Sequence, residues 1–243
     1  MRWTNSLVLL LAVSGSCWGQ KPVPVQPPKA ISSPAKKIES TPALQRTEAH
    51  FTVVLDAAHG GSDPGARLSE KIQEKDVTLA LSTRLRSALA ARGIAVVTTR
   101  EQDTTVTQQA RAETANRAQA AVCLLLHASN SGIGVHLFVS PIAPMLPTKI
   151  TPWNSAQGTF VQKSLKLAGT LNGAFTQASV PVTLARAAVL PIDNLACPAV
   201  AIEVSPLPPT GGDPQRALDS TEYQSRVAEA IVAAILEWRN GEK

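Results

Sequence analysis

The sequence has few aromatic residues, few cysteines and no long apolar run. Phe, Trp and Tyr make up only 4% of the 243 residues, so a core built from the 44% hydrophobic residues must be mainly aliphatic. The three cysteines do not show the spacing of metal ligands. The apolar stretch at 7–13 is too short to span a bilayer, and we expect no later segment to cross a membrane.

The N-terminus has the pattern of a secretory signal peptide. A single positive charge precedes the apolar 7–13 stretch, and small residues follow up to Gly19, which predicts a signal at 1–19 that is cut after Gly19. The alternative is lipoprotein processing before Cys17, which Ser14 disfavours because such sites usually carry an aliphatic residue there. We expect export to the periplasm or cell envelope, with membrane contact only through the signal or a lipid anchor at Cys17.

The positive charge of the chain is concentrated before its predicted domain. Residues 20–48 are rich in Pro, Ser and Lys and predict a poorly ordered tether, which carries +3 of the formal net charge of +5. Residues 49–243 are nearly neutral, with 17 basic and 16 acidic residues. A domain that binds nucleic acid would carry the excess itself, so we expect no nucleic-acid partner. The tether is either a solvated linker or a segment that lies along an anionic envelope.

Strands and helices alternate through 49–243. The apolar runs predict strands, and segments with helical spacing lie between them, including one that opens at Glu74. The 141–153 stretch has four prolines and predicts a loop, whereas 180–190 is ambiguous. This alternation predicts a single α/β domain with a mostly parallel sheet and helices on both faces. The predicted strands are 51–58, 94–99, 121–126, 135–139 and 199–204, and the later predicted helices are 105–119, 160–178 and 227–238.

Two cysteines lie close to predicted buried strands. Cys123 falls inside the strand at 121–126, and Cys197 just precedes the strand at 199–204. We interpret both as small apolar side chains of the core, with a disulfide between them as the alternative in an oxidising compartment.

Polar side chains stand at the ends of three predicted strands. His59, His127 and Glu203 each end an apolar run, and parallel strands bring their carboxyl ends to one edge of a sheet. Two imidazoles and one carboxylate are a typical ligand set for catalytic zinc, which keeps one coordination position open. His59, Glu74 and His127 fit that set, and Glu203 remains as the general base. Glu70 competes with Glu74, which we prefer because it opens the helix.

Residue types alone leave the metal open. The spacing is not a compact motif such as H-E-x-x-H, and a histidine at a strand end is often a hydrogen-bonded structural residue. The two other histidines, His50 and His136, are interpreted as solvated or hydrogen-bonded side chains rather than ligands.

The motifs around these residues resemble those of the zinc-dependent N-acetylmuramoyl-L-alanine amidases, the class that includes the cell-division amidases. The residues 55–66, LDAAHGGSDPGA, are similar to the first motif of that family, and Glu74–Leu79 to the second. The resemblance extends from about residue 51 to residue 240. It also includes Thr99–Asp103, 111–116, the strand that ends at His127, and Pro198–Glu203.

The resemblance implies a fold, a cofactor and a substrate. It implies a six-stranded α/β domain, one Zn²⁺ ion held by His59, Glu74 and His127, and a catalytic Glu203. The implied reaction cleaves the amide between the lactyl group of N-acetylmuramic acid and L-alanine of the peptidoglycan stem peptide. We expect a monomer that acts on peptidoglycan, and the sequence identifies no activator protein.

Further residues are candidates for supporting roles. Asp56 is predicted to orient the site by hydrogen bonding, and Asn130 and Arg186 are candidates for outer contacts or substrate contacts. Arg100 and Arg111 either pair with substrate carboxylates or form structural ion pairs.

Three segments depart from the family pattern. Ala57-Ala58 replaces Pro-Gly before the first histidine, Ser129 precedes Asn130, and Ser205-Pro206 follows the strand of Glu203. These departures suggest one alternative, a non-catalytic wall-binding or regulatory module that keeps the fold. A second alternative is a zinc carboxypeptidase that acts on stem peptides.

Overall fold

The computed structural model describes residues 51–147, 150–208 and 218–241. The predicted signal peptide, the tether, Cys17 and His50 therefore lie outside the described residues. Within the described part of the chain, no helix combines the length and the apolar character that a membrane span requires.

The centre of the fold is a six-stranded sheet with strand order β2-β1-β3-β6-β4-β5. Every neighbouring pair is parallel except β4 and β6, which are antiparallel, so β4 and β5 run against the other four strands. The sheet confirms the predicted mixed, mostly parallel architecture, and the ambiguous 180–190 segment contains β5. The strands are β1 (Thr52–Ala57), β2 (Ala95–Thr98), β3 (Val122–Ala128), β4 (Val135–Val139), β5 (Val182–Arg186) and β6 (Ala199–Val204).

Helices cover both faces of this sheet, as predicted. Helices α1, α3 and α4 share one apolar cluster with the strands, whereas α2 and the short 3₁₀ turn Ile192–Asn194 contribute to a second cluster. A second 3₁₀ segment, Trp153–Thr159, follows the Pro-rich loop. The four helices are α1 (Glu74–Ala90), α2 (Gln108–Arg117), α3 (Val161–Gln177) and α4 (Thr221–Gly241).

The alternation of side chains along each central strand explains why there are two clusters. In β3, Leu124 and Leu126 belong to the cluster under α1, α3 and α4, whereas Cys123 and Leu125 belong to the cluster under α2. Because both faces are covered, the strand is apolar at consecutive positions instead of alternating with polar residues. The fully buried side chains are mainly leucines, as the low aromatic content predicts.

Cys123 and Cys197 form a disulfide, with their Cα atoms 6.2 Å apart. The interpretation of these cysteines as two separate apolar side chains is therefore wrong. Strands β3 and β6 are neighbours, and Cys123 pairs in register with Ala199, two residues after Cys197. The sequence does not show which strands are adjacent in the sheet, so it does not show that the two sulfurs meet.

Candidate metal centre

His59 lies in a turn that two buried arginines stabilise from below. β1 ends at Ala57, and His59 adopts a left-handed backbone conformation with φ of 60°. Arg100 donates hydrogen bonds to the carbonyls of Ala57 and Ala58, at 2.9 and 3.0 Å. Arg111 donates to the carbonyls of Ala57 and His59, at 2.7 and 2.6 Å. The Ala57-Ala58 turn is thus fixed by guanidinium groups that satisfy its buried carbonyls.

Asp56 acts on this turn through Arg111. Its Oδ1 accepts hydrogen bonds from Nη1 of Arg111 at 2.6 Å and from Oγ1 of Thr99 at 2.5 Å. The side chains of Asp56 and Arg111 are only 7% and 3% exposed. A bound carboxylate could not reach these groups without displacing internal bonds, so the geometry favours the structural alternative for Arg111. Arg100 is buried among backbone carbonyls in the same way.

Glu74, the first residue of α1, lies between the two strand-end histidines. Its Oε2 is 3.0 Å from Nε2 of His59, and its Oε1 is 2.9 Å from Nδ1 of His127. The backbone amides of Ala66 and Ala128 also donate to this carboxylate, at 2.9 and 3.2 Å. Burial opposes ionisation of Glu74, but the hydrogen bonds with His127, His59 and the Ala66 amide outweigh it and lower its pKa. Glu74 is therefore a buried carboxylate that stays ionised.

These three residues form a compact group of metal-ligand type. His59, Glu74 and His127 each offer one ligand atom, and those atoms lie within 4.8 Å of one another. Nε2 of His127 is buried and has no hydrogen-bond partner among the described residues. An unpartnered imidazole nitrogen beside an ionised carboxylate and a second imidazole suits Zn²⁺, which binds nitrogen and oxygen donors of this kind. Glu70, the competing carboxylate, is not part of the group.

Asp63 is a supporting residue that sequence reasoning missed. Its Oδ2 is 2.8 Å from Nδ1 of His59, and its Oδ1 accepts from the amide of Gly65 at 3.1 Å. The hydrogen bond with Glu74 raises the pKa of His59, burial opposes that change, and Asp63 adds to the increase. A carboxylate on the second nitrogen of a ligand histidine is a common way to orient the ring. Its position within the LDAAHGGSDPGA motif is the signal that was available in the sequence.

Gly65 lets the backbone lie directly against two of the three side chains. A Cβ atom at this position would be 2.6 Å from Cδ2 of His59 and 2.7 Å from Oε2 of Glu74. Its φ of 66° is also one that other residues rarely adopt. No larger residue fits here unless His59 or Glu74 moves.

Glu203 lies on β6, between the histidines of the two neighbouring strands. It pairs in register with His127 of β3 on one side and with His136 of β4 on the other. Its Oε1 is 3.0 Å from Nδ1 of His136, and its side chain is 30% exposed. His136 is thus hydrogen-bonded, as the sequence predicts, and Glu203 remains accessible to a substrate.

The remaining predicted residues lie outside this group. Nδ2 of Asn130 donates to the carbonyl of Arg67 at 3.3 Å and so connects the loop after β3 to the loop before α1. Arg186 ends β5, where its guanidinium donates to the carbonyls of Ser140 and Ile142, at 2.9 and 2.7 Å. Contacts of Asn130 and Arg186 with substrate stay predictions.

The family model described as N-acetylmuramoyl-L-alanine amidase matches residues 53–237. The chain belongs to this family. The match contains all six strands from Val53 onwards, and it includes His59, Glu74, His127 and Glu203. The resemblance seen in the motifs is therefore confirmed over most of the chain.

Individual amidases show the same relationship. N-acetylmuramoyl-L-alanine amidase AmiA of Salmonella typhimurium is 25% identical over 240 residues, which covers 82% of this chain and 80% of that protein. AmiC of Escherichia coli O6:H1 is 37% identical over 79 residues, or 32% of this chain and only 19% of that longer relative. The solved catalytic domain of CwlV, an amidase from Bacillus (Paenibacillus) polymyxa var. colistinus, is 25% identical. It covers 78% of this chain and 98% of that domain, with a TM-score of 0.59.

Proposed function

We propose that this chain is a peptidoglycan hydrolase of the amidase family. It cleaves the amide between the lactyl group of N-acetylmuramic acid and L-alanine of the stem peptide. The observation that carries the proposal is the convergence of His59, Glu74 and His127 next to Glu203, in a chain that belongs to the amidase family. The family match favours this activity over a wall-binding module and over a carboxypeptidase.

One Zn²⁺ ion is the proposed cofactor, and His59, Glu74 and His127 would hold it. When bound, zinc supplies a Lewis acid that polarises a carbonyl and lowers the pKa of water. Two neutral imidazoles and one carboxylate leave a net positive charge at such a centre, which favours both effects. The buried, unpartnered Nε2 of His127 and the lowered pKa of Glu74 support this donor set.

Glu203 is the proposed general base and acid. In the first step its carboxylate accepts a proton from the attacking water, whose oxygen forms the new bond to the scissile carbonyl carbon. In the second step the carbon–nitrogen bond breaks, and Glu203 gives the same proton to the nitrogen of L-alanine. The products are a free lactyl carboxyl group and a free amino terminus, and the carboxylate of Glu203 is regenerated.

The disulfide supports export of the domain. Bonds such as Cys123–Cys197 form and persist in oxidising compartments and are rare in the cytosol. We propose a signal peptide at 1–19, a tether at 20–48 and a catalytic domain at 49–243, acting as a monomer in the periplasm or cell envelope. Peptidoglycan is the proposed partner.

The substitution Glu203→Gln tests the proposed base. The amide keeps the shape of the side chain but cannot take up a proton, so we expect activity to fall by about 100-fold or more while zinc stays bound. The measurement is the release of new L-alanine amino termini from purified peptidoglycan, with zinc content determined on the same sample. The comparison variant His127→Ala is expected to lose both zinc and activity.

The other outcomes separate the alternatives. Wild-type activity in Glu203→Gln would overturn the assignment of the base. A wild-type chain that binds peptidoglycan but releases no L-alanine amino termini would favour the wall-binding module. Mass spectrometry of the products identifies the bond that is cut, and loss of a terminal stem residue would indicate a carboxypeptidase.

A further inference from the structure

Three polar side chains form a row across the middle of the sheet. His127 of β3 pairs in register with Glu203 of β6, and Glu203 pairs in register with His136 of β4. Residues that pair directly in a sheet project to the same face, so all three lie on one side. Because β4 runs opposite to β6, His136 near its beginning lies at the same edge as Glu203 near the end of β6. His136 is thus the partner of Glu203 on the side away from His127.

The His136 ring is held from two directions. A Cβ atom on Gly132 would lie 2.2 Å from Cε1 of His136, so the glycine allows the chain to lie against the ring. On the other side, the ring of Phe138 makes an edge contact, with ring centroids 6.5 Å apart. The loop of Gly132 is itself fixed by Ser205, whose amide donates to the Gly134 carbonyl at 2.7 Å and whose hydroxyl donates to the Ser131 carbonyl at 2.8 Å.

The hydrogen bond between His136 and Glu203 has a defined direction. An ionised carboxylate can only accept hydrogen bonds, so Nδ1 of His136 carries the proton and donates to Oε1 of Glu203. Within the described residues, His136 is the one side chain that is hydrogen-bonded to this carboxylate. A glutamate that is 30% exposed can rotate freely unless such a bond restrains it. The bond leaves Oε2 of Glu203 available as a proton acceptor.

We infer that His136 is a positioning residue that holds the carboxylate of Glu203 in the orientation required for proton transfer. This inference rests on the proposed function, because it assigns to Glu203 the role of the base. His136 does not itself exchange a proton with substrate. Its contribution is the restraint of one carboxylate oxygen, and a displacement of about 1 Å in such a group can lower the rate by about 100-fold.

The choice of replacement side chains gives a sharp test. Asn and Leu have nearly the same shape, and the amide nitrogen of Asn is bonded to Cγ, as Nδ1 is in histidine. His136→Asn can therefore donate from the same position, whereas His136→Leu cannot donate at all. In His136→Gln the amide nitrogen is one bond further out, near the position of Nε2. We expect the rate to follow the order His, Asn, then Gln and Leu.

The experiment measures kcat and KM of the full chain on a soluble muramoyl tetrapeptide, together with zinc content and melting temperature. We expect kcat of His136→Leu and His136→Gln to fall by about 10- to 100-fold, with KM and zinc content close to those of the wild type. His136→Asn is expected to recover most of the lost kcat. A purely structural role would not distinguish Asn from Leu through kcat alone.

Other results overturn the inference. If His136→Leu keeps the wild-type kcat, or if Asn is no better than Leu and Gln, the hydrogen bond does not position Glu203. If His136→Leu fails to fold, the comparison of Asn with Gln still decides, because both are polar amides that differ only in where the donor lies. Failure of the proposed function gives a different result, since the wild-type chain itself would then release no L-alanine amino termini.

Discussion

At the scale of single residues, the unusual feature is a histidine with a left-handed backbone. A φ of 60° costs a non-glycine residue about 1–2 kcal/mol, so the surroundings must impose it on His59. Arg111 does so from the backbone side through the carbonyl of His59, and Asp63 does so from the ring side. The orientation of a candidate zinc ligand thus depends on charged residues that would not touch the metal.

Replacement of Arg111 by Met tests how much the fold depends on this buried pair. The change leaves the carboxylate of Asp56 buried without its ionic partner, and we expect the free energy of unfolding to fall by about 3–5 kcal/mol. Arg86→Met is the control, because Arg86 and Glu101 form an exposed pair whose loss should cost no more than about 1 kcal/mol. Urea unfolding curves measure both. Equal losses in the two variants would show that the Arg111–Asp56 pair has no special role.

The sequence predicted which residues would carry the chemistry better than it predicted their partners. His59, His127 and Glu203 could be identified because each interrupts an apolar run at the end of a strand. The contacts of Asp63 and His136 could not be derived in that way. They depend on the rotation of a turn and on the pairing of β4 with β6, and a linear pattern of residue types contains neither.

At the scale of elements, the loop between β1 and α1 brings Gly65 against His59 and Glu74. In Gly65→Ala the new methyl group would overlap both side chains, so we expect zinc affinity to fall roughly 10- to 100-fold. Gly93→Ala is the matched control, because its φ is 70° but a Cβ there would meet no atom within 4 Å.

Both glycine variants are expected to lose about 1 kcal/mol of stability through backbone strain, but only Gly65→Ala should bind zinc more weakly. Competition with a chromogenic chelator measures the affinity, and thermal unfolding measures the stability. If the two variants bind zinc equally well, the close approach of Gly65 does not shape the site.

The predicted boundaries of the elements were accurate where the core imposes them. The helix predicted at 160–178 is Val161–Gln177, and the strand predicted at 51–58 is Thr52–Ala57. The segment 180–190 was ambiguous because β5 is an edge strand with four of its five residues exposed, so it lacks an apolar pattern. The direction of β4 was not predicted, although the short connection after β3 could not form a parallel crossover.

At the scale of the whole molecule, the disulfide joins residues 74 positions apart. Closing a loop of this length in the unfolded chain removes conformational entropy worth about 4 kcal/mol. We therefore expect dithiothreitol to lower the urea midpoint of the wild type. The double variant Cys123→Ala/Cys197→Ala is the control and should start near the reduced midpoint and not respond to reductant. An unchanged midpoint in fully reduced wild type would contradict this account.

The same bond has a consequence for damage to the chain. The Pro-rich stretch after β4 contains the exposed side chain of Leu146, and it lies inside the covalent ring that Cys123 and Cys197 close. A protease that cuts there would produce two polypeptides that remain bonded to each other. His127 would stay on one fragment and Glu203 on the other, with their strands still paired side by side. An exported enzyme built in this way can be nicked without coming apart.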